Sequence, residues 1–151
     1  GASDEPGARE MLPEQVARAA DELPRSPLGK PVVLYIEDNP MNLRLMQQIF
    51  ASRKNLQLHD AHSGEEGVAM ARANPPALIL MDINLPGMDG YAALEILQAD
   101  PVTADIPVIA ISANAMKGDE ERGLSAGFAD YMTKPLNVPR FMAILDELFK
   151  Q

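Results

Sequence analysis

Residues 77–90 read Ala-Leu-Ile-Leu-Met-Asp-Ile-Asn-Leu-Pro-Gly-Met-Asp-Gly. The first five form an unbroken apolar run of strand length, without polar–apolar alternation. Such a run suits a strand buried on both faces, as in parallel sheets covered by helices. The run stops at a carboxylate, Asp82. The turn residues Leu85-Pro86-Gly87 follow, and then Asp89 or Gly90 opens a helix bearing Tyr91, Leu94 and Leu97. A buried strand that ends in an acid and turns into a helix is a β-α unit with polar chemistry at its exit.

Working outward, the same unit recurs. Further apolar runs span Val32–Ile36, Leu56–His59, Pro107–Ile111 and Phe128–Met132, beside Ala77–Met81. Asn39 precedes Pro40, a cap followed by proline at the first helical position, and Leu43, Met46 and Phe50 then share a face. Ser63 opens a second helix through about Ala73. The fourth, around Ala115–Leu124, is weak because Gly118 and Gly123 lie inside it. Asn137 caps the last, where Phe141, Ile144, Leu145 and Leu148 make an apolar stripe. Strict β-α alternation implies an α/β fold, a doubly wound parallel sheet with helices on both faces.

The 151 residues suit one domain with an adequate core. Hydrophobic content of 46% and charged content of 23% argue against disorder. With no cysteine, disulfides, thiolate metal sites and cysteine nucleophiles are excluded. Apolar runs are too short to span a bilayer, and no charged-then-apolar leader opens the chain. The net charge of −9 disfavours nucleic acid and anionic membrane as partners. Residues 1–30 differ from the rest, being rich in Ala, Glu, Pro and Arg. They read as a linker or amino-terminal extension, with residues 31–151 as the folded domain.

In an open parallel sheet, ligands bind at the carboxyl ends of the strands. Here those exits are Glu37-Asp38-Asn39, Asp82, Ser112-Ala113 and Thr133-Lys134-Pro135. They deliver three carboxylates, a hydroxyl and an ammonium to one edge. Clustered carboxylates repel unless a hard cation with oxygen ligands holds them, and Mg²⁺ suits such a set. A carboxylate beside that cation can act as a nucleophile toward phosphorus. Phosphoryl transfer then needs mainly positioning and charge neutralisation, to which Lys134 and Ser112 can contribute.

Taken together, Ile36-Glu37-Asp38-Asn39, Met81 to Gly90, Ile111-Ser112-Ala113 and Thr133-Lys134-Pro135 make the chain from about Val32 to Phe149 resemble a response-regulator receiver domain of two-component systems. The resemblance implies a flavodoxin-like sheet of order 2-1-3-4-5. It implies Asp82 as phosphoacceptor and Glu37, Asp38, Asp82 and the Asn84 backbone carbonyl as ligands of Mg²⁺, or of Mn²⁺ in its place. It further implies Lys134 and Ser112 as contacts of the phosphoryl group, a cis Lys134-Pro135 peptide, Ser112 and Tyr131 as a switch pair, and Asn84 and Asn114 as positions that tune dephosphorylation. The donor would be a histidine kinase or histidine phosphotransfer protein, and a downstream protein would read the fourth helix, fifth strand and fifth helix. The chain would assist its own phosphorylation without being an enzyme in the ordinary sense, and would work in the cytoplasm. Asp38-Asn39-Pro40-Met41-Asn42 and Ser112 to Met116 look most like receivers at the carboxyl end of hybrid histidine kinases.

Three rivals share parts of this pattern. A metal-dependent aspartyl-phosphate hydrolase resembles the site but places a second aspartate two residues after the nucleophile, where this chain has Asn84. A flavodoxin-like electron carrier needs a hydroxyl- and glycine-rich loop after the first strand, and Glu37-Asp38 would repel its flavin phosphate. A degenerate receiver that only binds proteins sits poorly with an intact Asp82, Lys134 and Ser112. His59 and His62 lack a matching ligand set, the nine methionines read as adaptable core filler, and Asp89 and Asp60 as a cap and a loop residue.

Overall fold

The structure, a computed structural model, describes residues 29–113 and 116–149. The expected linker at residues 1–30 lies almost wholly outside them. The described elements alternate without exception: β1 (Val32–Ile36), α1 (Pro40–Ala51), β2 (Gln57–Ala61), α2 (Gly64–Ala73), β3 (Leu78–Asp82), α3 (Gly90–Ala99), β4 (Val108–Ser112), α4 (Asp119–Ala126), β5 (Asp130–Thr133) and α5 (Val138–Leu148). The strands form one sheet of order β2-β1-β3-β4-β5, every pair parallel. The expected architecture and strand order are both found.

Strand alternation divides the core in two. Leu34, Ile36, Ile79, Met81 and Ala110 face Val68 and Ala71 of α2 and Ala93, Leu94 and Leu97 of α3. Val33, Tyr35, Leu78, Leu80, Ile109 and Ile111 face α1, through Leu43, Met46 and Phe50, and α5, through Phe141 and Leu145. The central strands β1, β3 and β4 are buried at every position, which is why their sequences are continuous apolar runs. The edge strand β2 is only half buried, and its sequence Gln57-Leu58-His59-Asp60-Ala61 is correspondingly mixed.

Caps set the helix starts. Asn39, Ser63, Asp89 and Asn137 each accept a hydrogen bond from a backbone N–H in the first turn of the helix that follows. The helix α4 is the exception: its cap is Gly118, at φ +92°, with no side-chain bond.

Three sequence expectations shift. The weak fourth helix begins at Asp119 rather than near Ala115, because Gly118 adopts a left-handed conformation that a helix interior does not admit. It also runs on to Ala126, where Gly127 ends it at φ +118°. The strand expected over Phe128–Met132 therefore starts only at Asp130. Asp60, expected in a loop, is a residue of β2 paired with Tyr35, since the parallel ladder to β1 carries on to Ala61.

Candidate functional site

The carboxyl ends of β1, β3, β4 and β5 meet at one edge of the sheet. Asp82 is the last residue of β3, still paired with Ile111, and Ser112 is the last of β4, paired with Thr133. Both were expected just past their strands; in fact the ladder extends through them, each pairing on one side, Asp82 to β4 and Ser112 to β5. Glu37 follows β1 directly, and its N–H donates to the Ala61 carbonyl at 2.9 Å.

Glu37, Asp38 and Asp82 each offer an oxygen, and these oxygens lie within 4.8 Å of one another. Glu37 and Asp82 are buried, whereas Asp38 is exposed. Lys134 bridges the buried pair: its Nζ donates to Glu37 Oε1 at 3.2 Å and to Asp82 Oδ2 at 3.3 Å. The other oxygen of each carboxylate takes a backbone N–H, that of Asn39 on Glu37 Oε2 at 3.1 Å and that of Asn84 on Asp82 Oδ1 at 2.9 Å. The Lys134-Pro135 peptide is cis.

Environment drives the two buried acids apart. Burial, with the neighbouring Glu37 adding to it, pushes the Asp82 carboxyl above its ordinary value; the Asn84 N–H and the Lys134 charge oppose that rise without cancelling it. Burial acts the same way on Glu37, but hydrogen bonds with Asp82, Tyr35 and the Asn39 N–H, together with Lys134, outweigh it and hold Glu37 below its ordinary value. Lys134 is raised because the charges of Asp82 and Glu37 outweigh the lowering effect of its own burial.

The donor set fits a hard divalent cation. One ammonium stands against three carboxylates, so negative charge is left uncompensated in a place from which water is partly excluded. Oxygen-only ligands with one exposed member are what Mg²⁺ accepts, since it keeps part of its water shell. Among the described residues, no other group of acids, histidines or cysteines comes together in this way. His62 pairs instead with Asp60, at 2.8 Å on the surface.

The remaining sequence candidates fall around this cluster. Ser112 is fully buried, and its hydroxyl lies 3.5 Å from Asn84 Oδ1. Asn84 also accepts from the Ala113 N–H at 3.0 Å, which ties the loop after β3 to the end of β4. Tyr131 pairs with Ala110, two residues before Ser112, and its buried ring packs beneath α4. A Cβ added to Gly123 would stand 2.5 Å from Tyr131 Cδ2, so only glycine lets the ring lie there. Asn114 lies outside the described residues.

Tyr35 escaped the sequence reading, because it sits inside an apolar run. Its hydroxyl is buried and donates to Glu37 Oε1 at 2.9 Å. The signal was the strand period: residues 35 and 37 point to the same side.

Comparison with known proteins agrees with this architecture. A family model described as the response regulator receiver domain matches residues 33–146. The polar-differentiation response regulator DivK of Brucella ovis is 41% identical over 110 residues, which are 73% of this chain and 89% of that protein. The receiver domain of the sensor histidine kinase PA1611 from Pseudomonas aeruginosa PAO1, solved with a magnesium ion in its active-site cleft, superposes with a TM-score of 0.71 at 33% identity, covering 79% of this chain and 97% of that one. The receiver domain of a signal transduction histidine kinase from Syntrophus aciditrophicus gives 0.69 at 29% identity, over 78% and 89% of the two chains. The chain therefore belongs to the response regulator receiver domain family and serves phosphorylation-dependent, two-component signal transduction.

Proposed function

We propose that Asp82 accepts a phosphoryl group from the phosphohistidine of a histidine kinase or histidine phosphotransfer protein. The observation that carries this reading is the buried Glu37–Lys134–Asp82 bridge beside exposed Asp38. Glu37, Asp38, Asp82 and the Asn84 backbone carbonyl would hold Mg²⁺, or Mn²⁺ in its place. The metal, when bound, supplies positive charge to the phosphoryl oxygens.

In the transfer, an Asp82 carboxylate oxygen forms the new bond to phosphorus. The phosphorus–nitrogen bond breaks, and its electron pair returns to the donor's imidazole ring. Asp82 sits on a rigid strand end, so little positional entropy is left to lose. Lys134, already 3.3 Å from Asp82 Oδ2, stands ready to pair with a phosphoryl oxygen. The Ser112–Asn84 contact of 3.5 Å is at the long limit of a hydrogen bond and gives way readily to a phosphoryl acceptor. Ser112 and Tyr131 would shift together, with the buried ring under α4 as the lever, and the α4-β5-α5 face would present the change to a downstream protein. Asn84, tied to Ala113, and Asn114 are positions that would tune the lifetime of the mark.

The similarity to receivers of histidine kinases supports an origin in a hybrid kinase, with residues 1–30 as linker and 31–151 as the receiver. A cytoplasmic site of action is in keeping with this, and no helix among the described residues is long and apolar enough to cross a membrane.

The decisive experiment is intact mass after incubation with Mg²⁺ and acetyl phosphate, wild type beside Asp82→Asn. The expected result is one phosphoryl adduct, on wild type only, that is lost on hydroxylamine treatment. An adduct that survives in Asp82→Asn would move the acceptor elsewhere.

A further inference from the structure

The geometry points to Tyr35 as a positioning residue that aims the Glu37 carboxylate at the metal. This rests on the reading of Glu37, Asp38 and Asp82 as a cation site.

Tyr35 belongs to the packing between the sheet and the helices α1 and α5, where it keeps company with Val33, Phe50 and Ile111. For that packing a phenyl ring would suffice. The hydroxyl is additional, and it is spent on one acceptor, Glu37 Oε1. A buried tyrosine hydroxyl needs some partner, so the bond alone is unremarkable. What gives it meaning is the state of the acceptor.

Glu37 is 1% exposed, and three donors reach it: Tyr35 and Lys134 on Oε1, the Asn39 N–H on Oε2. A carboxylate has about four acceptor positions. The remaining capacity is what Glu37 shares with Asp82 in metal-free protein, within the cluster that Asp38 joins. Lys134 cannot fix Glu37 unaided, because its ammonium is shared with Asp82 and would be shared again with any phosphoryl group there. The Asn39 N–H holds only the other oxygen. Tyr35 is the donor that commits to Glu37 wholly, from a rigid central strand. It keeps Oε1 in place when Lys134 turns toward Asp82, and so lets one lysine serve the incoming group without losing a metal ligand. Partners of this kind behind a ligating carboxylate commonly govern metal affinity by 10- to 100-fold, as order-of-magnitude figures.

The test is calorimetric titration of Mg²⁺ into four proteins: wild type, Tyr35→Phe, Glu37→Asp and the double variant. In Glu37→Asp the carboxylate is one methylene shorter and falls out of reach of the Tyr35 hydroxyl, yet an acid remains for the metal. Tyr35→Phe in the wild-type background is expected to weaken Mg²⁺ about tenfold. Adding it to Glu37→Asp should cost no further affinity. Unchanged affinity in Tyr35→Phe overturns the proposal. So does an equal loss in both backgrounds, which would mark a packing effect transmitted without Glu37. Failure of wild type to bind Mg²⁺ would overturn the cation-site reading itself and this one with it.

Discussion

The helices α4 and α5 flank the same strand, β5, and are held in opposite ways. The helix α5 is capped by Asn137, has proline in its first turn, and sinks Phe141 and Leu145 completely into the core. The helix α4 has eight residues, a glycine where a capping side chain would sit, and one buried residue, Gly123, which has no side chain to pack. Its Leu124 is 44% exposed. Its hold comes from three acids in the first turn, which favour the helix dipole, and from Arg122, whose guanidinium lies 4.3 Å above the Tyr91 ring of α3. One helix is a wall and the other is a cover. The two sides of β5 are therefore held with very different firmness.

The sharpest way to break this comparison is to truncate one side chain in each helix. Phe141→Ala is expected to cost about 3–5 kcal/mol of stability, while Leu124→Ala should stay within about 0.5 kcal/mol. Urea denaturation of the two variants measures the difference. Comparable losses would mean that α4 is as much part of the core as α5.

A smaller effect is expected from Gly123→Ala. Crowding of the Tyr131 ring should cost about 1–3 kcal/mol, offset by about 1 kcal/mol from better helix propensity. The telling readout is the ring itself: its aromatic proton signals should move toward those of an exposed tyrosine. A ring that keeps its buried signals would show that α4, not Tyr131, gives way.

The smallest effect carries the comparison into the site. In metal-free protein Asp82 has a raised folded pKa, so its contribution to stability is fully present below the ordinary carboxylate range and is lost as pH rises through the raised value. Glu37, held low, contributes the other way, and its share is lost only at more acidic pH, as pH falls through its depressed value. Mild acidification from neutral should therefore raise the thermal midpoint of metal-free wild type, and Asp82→Asn should not share that component of the rise. Hydrogen exchange should place the gain in β3 and β4, with α4 amides unmoved.

How much of this was legible in the sequence depends on the length scale of the signal. The central strands were plain because burial on both faces leaves no charged residue in Val32–Ile36 or Leu78–Met81. The caps Asn39, Ser63, Asp89 and Asn137 were equally plain, since capping is local chemistry. The start of α4 was misplaced because Gly118 reads as a helix weakener, and nothing in the sequence says that its φ is positive. Asp60 was misplaced because an edge strand carries polar residues that look like a loop. For the site, strand exits gathered Glu37, Asp38, Asp82, Ser112 and Lys134 correctly at one edge. Which donor meets which oxygen is a matter of side-chain geometry between distant segments, and so the bonds from Tyr35 to Glu37 and from Ala113 to Asn84 stayed hidden.

The Lys134–Glu37 contact joins residues 97 positions apart, and Lys134 reaches Asp82 across 52. No contiguous fragment of the domain can contain that arrangement without nearly all of the sheet. A nascent chain that has not yet delivered β5 presents its acids with no ammonium opposite them, and the same holds for a copy from which β5 has been clipped. If Lys134 acts as proposed, such chains stay silent. On that reading the site is complete only once β5 is in place.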